Sequence, residues 1–196
     1  MDRKELFELC THGPWRTAGH ETQYRIVPVG SRIVLAFQGS SQDIDWKYNF
    51  AFVPQPYNDM PWPWRAHGGF VRAWQAAREK ILDEIESVNG AGIKIVIVTG
   101  YSHGAALAVM AYEDLKWHGY AVEGVNFGGP RVMWMPCKQV RSRFDTFERI
   151  KVSGDIVTGV PLWLMGFRHV GKKTRLGRWR LPGVKPHMPG SYVDVL

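Results

Sequence analysis

The stretch from Ile95 to Val109 decides the fold, and it reads Ile-Val-Ile-Val-Thr-Gly-Tyr-Ser-His-Gly-Ala-Ala-Leu-Ala-Val. Its first part is an unbroken β-branched apolar run, which is typical of a parallel strand buried on both faces. Its last part is rich in alanine and leucine, which favours a helix. Between them Gly100 and Gly104 flank Ser102, and small residues are needed there because strand and helix backbones nearly touch. The stretch therefore predicts a sharp bend that exposes the Ser102 hydroxyl beside a helix N-terminus.

Strand and helix patterns alternate along the rest of the chain. Two apolar runs separated by Gly30-Ser31 predict a hairpin, and an amphipathic stripe predicts one long helix. Two later apolar runs predict further strands. The segments are Gln23–Val29 and Arg32–Phe37 (hairpin), Val71–Val88 (helix), and Val122–Phe127 and Phe147–Val152 (strands). This order predicts an α/β fold with a mostly parallel central sheet and helices on both faces, formed as a single domain by residues 1–196.

Residues 41–64 combine many aromatic side chains with four prolines. Prolines at this density exclude a regular helix or a central strand from Pro54 onward. An irregular aromatic segment either packs over the core or forms a lid over a cleft. The residue pattern alone leaves both alternatives open.

A serine nucleophile needs an imidazole to accept its proton and a carboxylate to orient that imidazole. In hydrolases with this kind of bend the chain order is serine, acid, histidine. Asp155 is the acid in a turn directly after a late predicted strand, and the two histidines that follow it are His169 and His187. His187 lies in a proline-bounded loop that can reach back over the sheet, so we expect it to be the base. His169 lies in an alternating, strand-like segment, and His103 follows the serine along the helix, so we rank both lower.

The charge of the chain is unevenly distributed. The net charge is +7, yet the stretch from Lys138 to Lys185 holds twelve basic residues against three acidic ones. Such a stretch fits an anionic lipid surface, a nucleic acid or simply a solvated basic face. We do not expect nucleic acid, because no recognition-helix pattern or aromatic-basic interleaving is present. No apolar run approaches the length of a transmembrane segment.

Cysteine usage and the first residues lead to an expectation about location. Cys10 and Cys137 form no disulfide framework, and the first ten residues contain no apolar stretch of a secretory signal. We therefore expect a cytoplasmic protein, with secretion after processing left open.

These motifs, from about Ile33 to the C-terminus, resemble those of the class 3 lipases, α/β-hydrolases typified by filamentous-fungal triacylglycerol lipases. One segment is similar to the family's strand before its oxyanion loop, one to its short His-x-Gly-Phe signature, one to its serine bend, and two to later signatures. They are Ile33–Ser40, Ala66–Phe70, Val98–Ala108, Phe127–Val132 and Asp155–Pro161. The resemblance implies an α/β-hydrolase fold.

The resemblance also implies roles for single residues. Ser102 would be the nucleophile, Asp155 the acid and His187 the base, with an oxyanion hole formed by the amide of His103 and by the amide and hydroxyl of Ser40. The segment after Ser40 takes the place of the family's lid, and it carries the aromatic residues expected to roof an apolar acyl pocket. These are Trp46, Tyr48, Phe50 and Phe52.

The implied reaction is hydrolysis of carboxylic esters of the acylglycerol type through an acyl-enzyme. It requires no metal ion and no organic cofactor. The expected substrate is a lipid or a small ester, and the basic stretch allows a transient contact with an anionic lipid interface. A phospholipase, a thioesterase or an acyltransferase would use the same three residues, so these stay alternatives. A non-catalytic nucleic-acid-binding module is the alternative from a different class.

Overall fold

The fold was analysed in a computed structural model of the chain, which describes residues 1–19, 21–39, 53–57, 65–88, 95–179 and 181–196. The helices of these residues are α1 (Arg3–Thr11), α2 (Gly68–Val88), α3 (His103–Trp117), α4 (Lys138–Ser142) and α5 (Pro189–Val193). The strands are β1 (Arg16–Ala18), β2 (Thr22–Val29), β3 (Arg32–Phe37), β4 (Pro54–Pro56), β5 (Arg65–His67), β6 (Ile95–Tyr101), β7 (Ala121–Phe127), β8 (Met133–Trp134), β9 (Phe147–Val152), β10 (Phe167–Arg168) and β11 (Lys172–Leu176).

Seven of these strands form the main sheet in the order β1-β2-β3-β6-β7-β9-β11. The main-sheet strands β3, β6, β7, β9 and β11 run parallel to one another. β2 forms the predicted antiparallel hairpin with β3, and β1 pairs antiparallel with β2. Parallel strands end at the same edge of a sheet, which is where α/β proteins place their binding sites. The residues that follow Phe37, Tyr101, Phe127 and Val152 therefore meet at this carboxyl edge.

Helices cover both faces of the main sheet, as the alternating pattern predicts. On one face α2 and α3 pack against β2, β3, β6 and β7, and their shared core includes the fully buried Trp74 and Tyr112. On the other face α1 packs with the C-terminal residues against β6, β7 and β9, and Phe7 lies at the centre of this smaller core. The helix predicted from Val71 begins at Gly68, because the apolar stripe continues back to Phe70.

A second sheet, which the sequence patterns do not predict, lies beside the main one in the order β10-β8-β5-β4. Its strands have two or three residues each, too few for an alternating pattern to be recognised. Pro54 and Pro56 lie in β4 at the end of this sheet. A proline is tolerated in an edge strand, since no further strand needs its missing amide hydrogen.

Candidate active site

Ser102 lies on a strained bend at the carboxyl edge, between β6 and α3. Its backbone has φ of 55° and ψ of −118°, a conformation that L-residues rarely adopt. A Cβ atom on Gly100 would lie 2.2 Å from the carbonyl oxygen of Gly104, and a Cβ on Gly104 would lie 2.4 Å from that of Gln38. These distances show why the bend requires glycine on both sides of Ser102.

The structure brings Ser102 together with His187 and Asp155. His187 Nε2 lies 2.9 Å from Ser102 Oγ, and His187 Nδ1 lies 3.0 Å from Asp155 Oδ2. Asp155 follows β9 at the carboxyl edge, and His187 ends a short 3-10 turn that precedes α5. The two loops are joined by backbone hydrogen bonds of Gly183, whose amide donates to Gly154 at 2.9 Å and whose carbonyl accepts from Ile156 at 3.4 Å.

The hydrogen-bond partners determine which nitrogen of His187 carries the proton. A carboxylate accepts, so Nδ1–H donates to Asp155 and the lone pair of Nε2 is left to accept the hydroxyl proton of Ser102. The buried Asp155 carboxylate also accepts from the amide of Val157 at 2.9 Å and from the hydroxyl of Tyr192 at 2.6 Å. Three donors thus hold this carboxylate in place.

Sequence reasoning missed two tyrosines that support this arrangement. The ring of Tyr101 stacks on the ring of His187, with centroids 5.2 Å apart and an interplanar angle of 19°, and its hydroxyl donates to the carbonyl of His187. Tyr192 donates to Asp155, and burial together with that carboxylate raises its pKa well above the usual range. Tyr192 therefore stays a hydrogen-bond donor. The position of Tyr101 inside the bend was the one signal that could have indicated such a role.

The other histidines near the site are neutral and are engaged elsewhere. The ring of His103 packs on Phe70 at 5.5 Å, and burial lowers the pKa of His103 to about 4. His169 Nε2 lies 2.9 Å from the carbonyl oxygen of Thr158, and burial, with smaller effects of nearby cations, lowers its pKa to about 3. Burial likewise lowers the pKa of His67 to about 4. Unlike these three histidines, His187 is hydrogen-bonded to Ser102.

The remaining predicted residues divide into two groups. The amide of His103 lies at the N-terminus of α3, where the first amides of a helix have no partner within the helix. Ser40 and the four aromatic residues expected to roof the acyl pocket lie outside the described residues; these four are Trp46, Tyr48, Phe50 and Phe52. Within the described ranges, no three His, Cys, Asp or Glu side chains are close enough together to hold a metal ion.

The fold is that of the α/β-hydrolases, as predicted. A crystal structure of a mutant form of the protein MDLA from Penicillium cyclopium superimposes with a TM-score of 0.72 at 28% identity, over 80% of this chain and 59% of that one. The family model described as lipase (class 3) matches residues 34–165, about two thirds of the chain. The chain therefore belongs to the class 3 lipase family.

Two relatives show what this chain is similar to. It is 31% identical over 143 residues to the "Secreted mono- and diacylglycerol lipase A" of Penicillium cyclopium, which covers 71% of this chain and 46% of the relative. It is 25% identical over 192 residues to the "Phospholipase A1-II 1" of Oryza sativa subsp. indica, over 83% of this chain and 48% of the relative. The chain thus spans about half the length of these relatives.

The expectation of a cytoplasmic location is wrong. The Penicillium relative is named as a secreted protein, which points to an extracellular location. The expectation rested on the first ten residues and on the small number of cysteines, and cysteine usage is informative mainly for domains too small to form a sufficient core. Two extended hydrophobic cores make disulfides unnecessary here, so two free cysteines carry little information about the compartment. In the described part of the chain, no helix is both long and apolar enough to cross a membrane.

Proposed function

We propose that this chain is a serine hydrolase that cleaves carboxylic esters of the acylglycerol type. Ser102 is the nucleophile, His187 the general base and Asp155 the acid that orients the base. The observation that carries the proposal is the continuous line of hydrogen bonds from Ser102 Oγ through both nitrogens of His187 to Asp155 Oδ2, at 2.9 and 3.0 Å. These distances lie within the range that proton transfer requires.

The reaction follows from this line of contacts. Ser102 Oγ attacks the ester carbonyl carbon while His187 Nε2 takes its proton, and a tetrahedral oxyanion forms. The oxyanion collapses, the bond to the alcohol oxygen breaks, and His187 returns the proton to the leaving alcohol. Water then attacks the acyl-enzyme, with His187 again accepting and returning a proton, and the carboxylic acid leaves. Asp155 stays ionised throughout and stabilises the imidazolium form of His187.

The oxyanion is stabilised by the amide of His103 together with the amide and hydroxyl of Ser40. Each such donor is worth about two to three orders of magnitude in kcat. The proposal for Ser40 is supported by its neighbour Gly39, where a Cβ would lie 2.9 Å from the Tyr101 ring and 3.3 Å from Ser102 Cβ. The loop that leads into Ser40 therefore passes directly beside the bend.

The proposal treats residues 1–196 as one α/β-hydrolase domain, with a lid around residues 41–64. The described part of that segment supports this placement: β4 pairs with β5, and His67 at the end of β5 contacts Phe70, which contacts His103. A lid anchored there would start and end near the site. The substrate is a lipid ester, and the setting is extracellular, as the name of the Penicillium relative says of that protein.

Histidine replacements at two positions test the assignment directly. In His187→Ala, turnover of a p-nitrophenyl ester should fall by at least about a thousandfold, because the proton acceptor is lost. His169→Ala is the matched control, and it should keep the rate within a few-fold. Labelling by a serine-directed phosphonate should require Ser102 and disappear in Ser102→Ala. Unchanged labelling of Ser102→Ala, or loss of turnover in the control alone, would refute the assignment.

Phospholipase A1 activity is a second candidate for the same three residues. The similarity to the rice protein and the basic stretch from Lys138 to Lys185 favour it. Hydrolysis of phosphatidylglycerol compared with a neutral diacylglycerol, both dispersed in the same detergent, separates the two candidates. Release of fatty acid from the phospholipid alone would replace the first proposal by the second.

A further inference from the structure

The edge of the main sheet carries an unusual concentration of positive charge. β11 is parallel to β9, and their register places Lys173 opposite Arg149 and Arg175 opposite Lys151. Like charges directly opposite each other on neighbouring strands are destabilising. These four side chains, called here the basic face, therefore cost stability unless something negative lies against them.

The basic face lies on the side of β9 and β11 opposite to α1. The alternate residues Ile150, Val152 and Leu176 pack into the core beneath α1 on the other side. Successive side chains of a strand point to opposite faces, so the four cations point away from α1. The helices on that side, α2 and α3, pack mainly over β2, β3, β6 and β7, and Tyr112 of α3 also contacts Phe147 at the start of β9. Lys173 and Arg175 are exposed, and Arg149 and Lys151 are half-buried.

In the described part of the chain, no acid is paired with this charge, and Lys151 Nζ donates to the hydroxyl of Thr158 at 2.8 Å. Some cations elsewhere are paired with acids, as Arg16 is with Glu84 at 2.6 Å and Lys116 with Asp145 at 2.8 Å. Within the described residues, none of the four cations of the basic face forms an ion pair, and the buried Nε of Arg149 has no hydrogen-bond partner. Burial and the neighbouring Arg131 lower the pKa of Arg149 to about 10, so it remains charged at neutral pH.

An exposed apolar loop adjoins the basic face. Leu162, Trp163, Leu164 and Met165 are 58, 57, 87 and 39% exposed. Leucine, tryptophan and methionine side chains in one exposed stretch mark an interaction site rather than a solvated turn. This apolar loop follows the turn that holds Asp155, so it leaves the sheet at the same carboxyl edge as Ser102.

Two arginines fasten the apolar loop beside the basic face. Arg131 donates to the carbonyl oxygens of Gly159 and Pro161 at the start of the loop. Arg168 donates to the carbonyl of Trp163 at 2.6 Å, and its guanidinium lies 4.1 Å from the centroid of the Trp163 ring. These contacts hold the loop at its start and at Trp163, with its apolar side chains exposed and cations at its base.

We propose that the basic face and the apolar loop together form the surface on which this protein docks to an anionic phospholipid membrane. The exposed Lys173 and Arg175 neutralise lipid phosphates, each contributing about a fivefold increase in binding. Leu164 and Trp163 insert among the headgroups, where tryptophan is favoured because its ring is apolar and its N–H is polar. The inference rests on the proposed function in one respect: a lipid surface is where acylglycerol-type esters are found.

Vesicle binding tests the basic face. Ser102→Ala protein is mixed with vesicles of phosphatidylcholine, with or without phosphatidylglycerol, so that lipid is not consumed. Lys173→Gln with Arg175→Gln should weaken binding to the anionic vesicles about 25-fold, or about fivefold per charge. Lys4→Gln with Lys80→Gln removes the same charge from helices α1 and α2, and binding should change less than about threefold. Equal losses in both pairs, or no preference for anionic vesicles, would overturn the proposal.

The apolar loop is tested separately. Leu164→Gln should weaken binding to both kinds of vesicle about tenfold, since insertion of a leucine is worth roughly that factor. Val29→Gln, an exposed apolar residue at the opposite edge of the sheet, should have no effect. Unchanged binding of Leu164→Gln would overturn the role of the loop. Tight binding of a labelled DNA duplex that depends on Lys173 and Arg175, without vesicle binding, would assign the basic face to nucleic acid instead.

A soluble short-chain ester separates this inference from the proposed function. Turnover of p-nitrophenyl butyrate below its solubility limit needs no interface. The Lys173 and Arg175 variants should therefore retain it, whereas Ser102→Ala abolishes it. If the unmodified chain binds anionic vesicles but hydrolyses no ester, the proposed function fails and the docking surface stands. If it hydrolyses the soluble ester but shows no preference for anionic vesicles, the docking surface fails and the proposed function stands.

Discussion

Replacing Ser102 by glycine should stabilise the protein relative to replacing it by alanine. Both variants lose the nucleophile and the hydrogen bond to His187, so the difference between them isolates the backbone. Alanine retains the strain of φ 55° and ψ −118°, which costs about 1–3 kcal/mol, whereas glycine adopts these angles freely. Glycine loses about 0.5–1 kcal/mol through the greater entropy of the unfolded chain. The glycine variant should therefore unfold with a free energy about 1 kcal/mol higher.

Reversible urea unfolding measures this difference, and it corresponds to a Tm about 2–4 °C higher for a chain of this length. Two further glycine–alanine pairs serve as controls. At the exposed Met135, where φ is 43°, glycine should again be the more stable. At the exposed Gln75 inside α2 the order should reverse by about 1 kcal/mol, because glycine is a poor helix former. A Ser102→Ala protein as stable as Ser102→Gly would refute strain at this bend.

Three further predictions concern the surroundings of the site. Tyr192→Phe removes a donor to the carboxylate of the proposed acid and should lower both kcat and the free energy of unfolding, the latter by about 1.5–3 kcal/mol. The control is Tyr24→Phe, which removes a donor to a carboxylate far from the site and should lower stability without changing kcat. Steady-state kinetics and urea unfolding measure the two effects, and an equal loss of kcat in the Tyr192 and Tyr24 variants would contradict the prediction. Gly100→Ala should destabilise by more than about 3 kcal/mol because its Cβ would meet backbone at 2.2 Å, whereas Gly190→Ala has open space and should change stability by less than about 1 kcal/mol in thermal unfolding. The three histidines with lowered pKa values bind protons more weakly in the folded state than in the unfolded state. Stability should thus be full above pH about 7 and fall from about pH 6.5 toward 4, by about 1.4 kcal/mol per pH unit for each histidine; a flat profile in urea unfolding between pH 7 and 5 would contradict these shifts.

The elements that the sequence predicts correctly are those with strong local patterns. The strand-turn-helix bend around Ser102 follows from an apolar run, two glycines and a helix-forming stretch, and the structure has β6 and α3 on either side of it. The long helix α2 follows from its apolar stripe in the same way. By contrast, β11 is not recognisable from Lys172–Leu176, because a basic edge strand has neither an apolar run nor an alternating pattern.

The candidate site shows the same division. Chain order and turn chemistry select Asp155 and place His187 ahead of His169, because both kinds of information can be taken directly from the sequence. The roles of Tyr101 and Tyr192 depend on how the C-terminal loop folds back onto β6 and β9, which no local pattern encodes. The neutral state of His169 likewise results from burial beside cations that come from other segments of the chain.

The sequence by itself determined the elements with strong local patterns, their alternation and the position of Ser102 on a bend, since these depend on backbone propensity and on residues within a few positions of one another. Only the tertiary structure decided which tyrosines hold the imidazole and the carboxylate, and which four cations come to lie side by side on β9 and β11. Residues far apart in the chain meet through strand order and loop packing. The physical reason is that the free energy of such contacts depends on the whole core, whereas a sequence pattern reports only the local part.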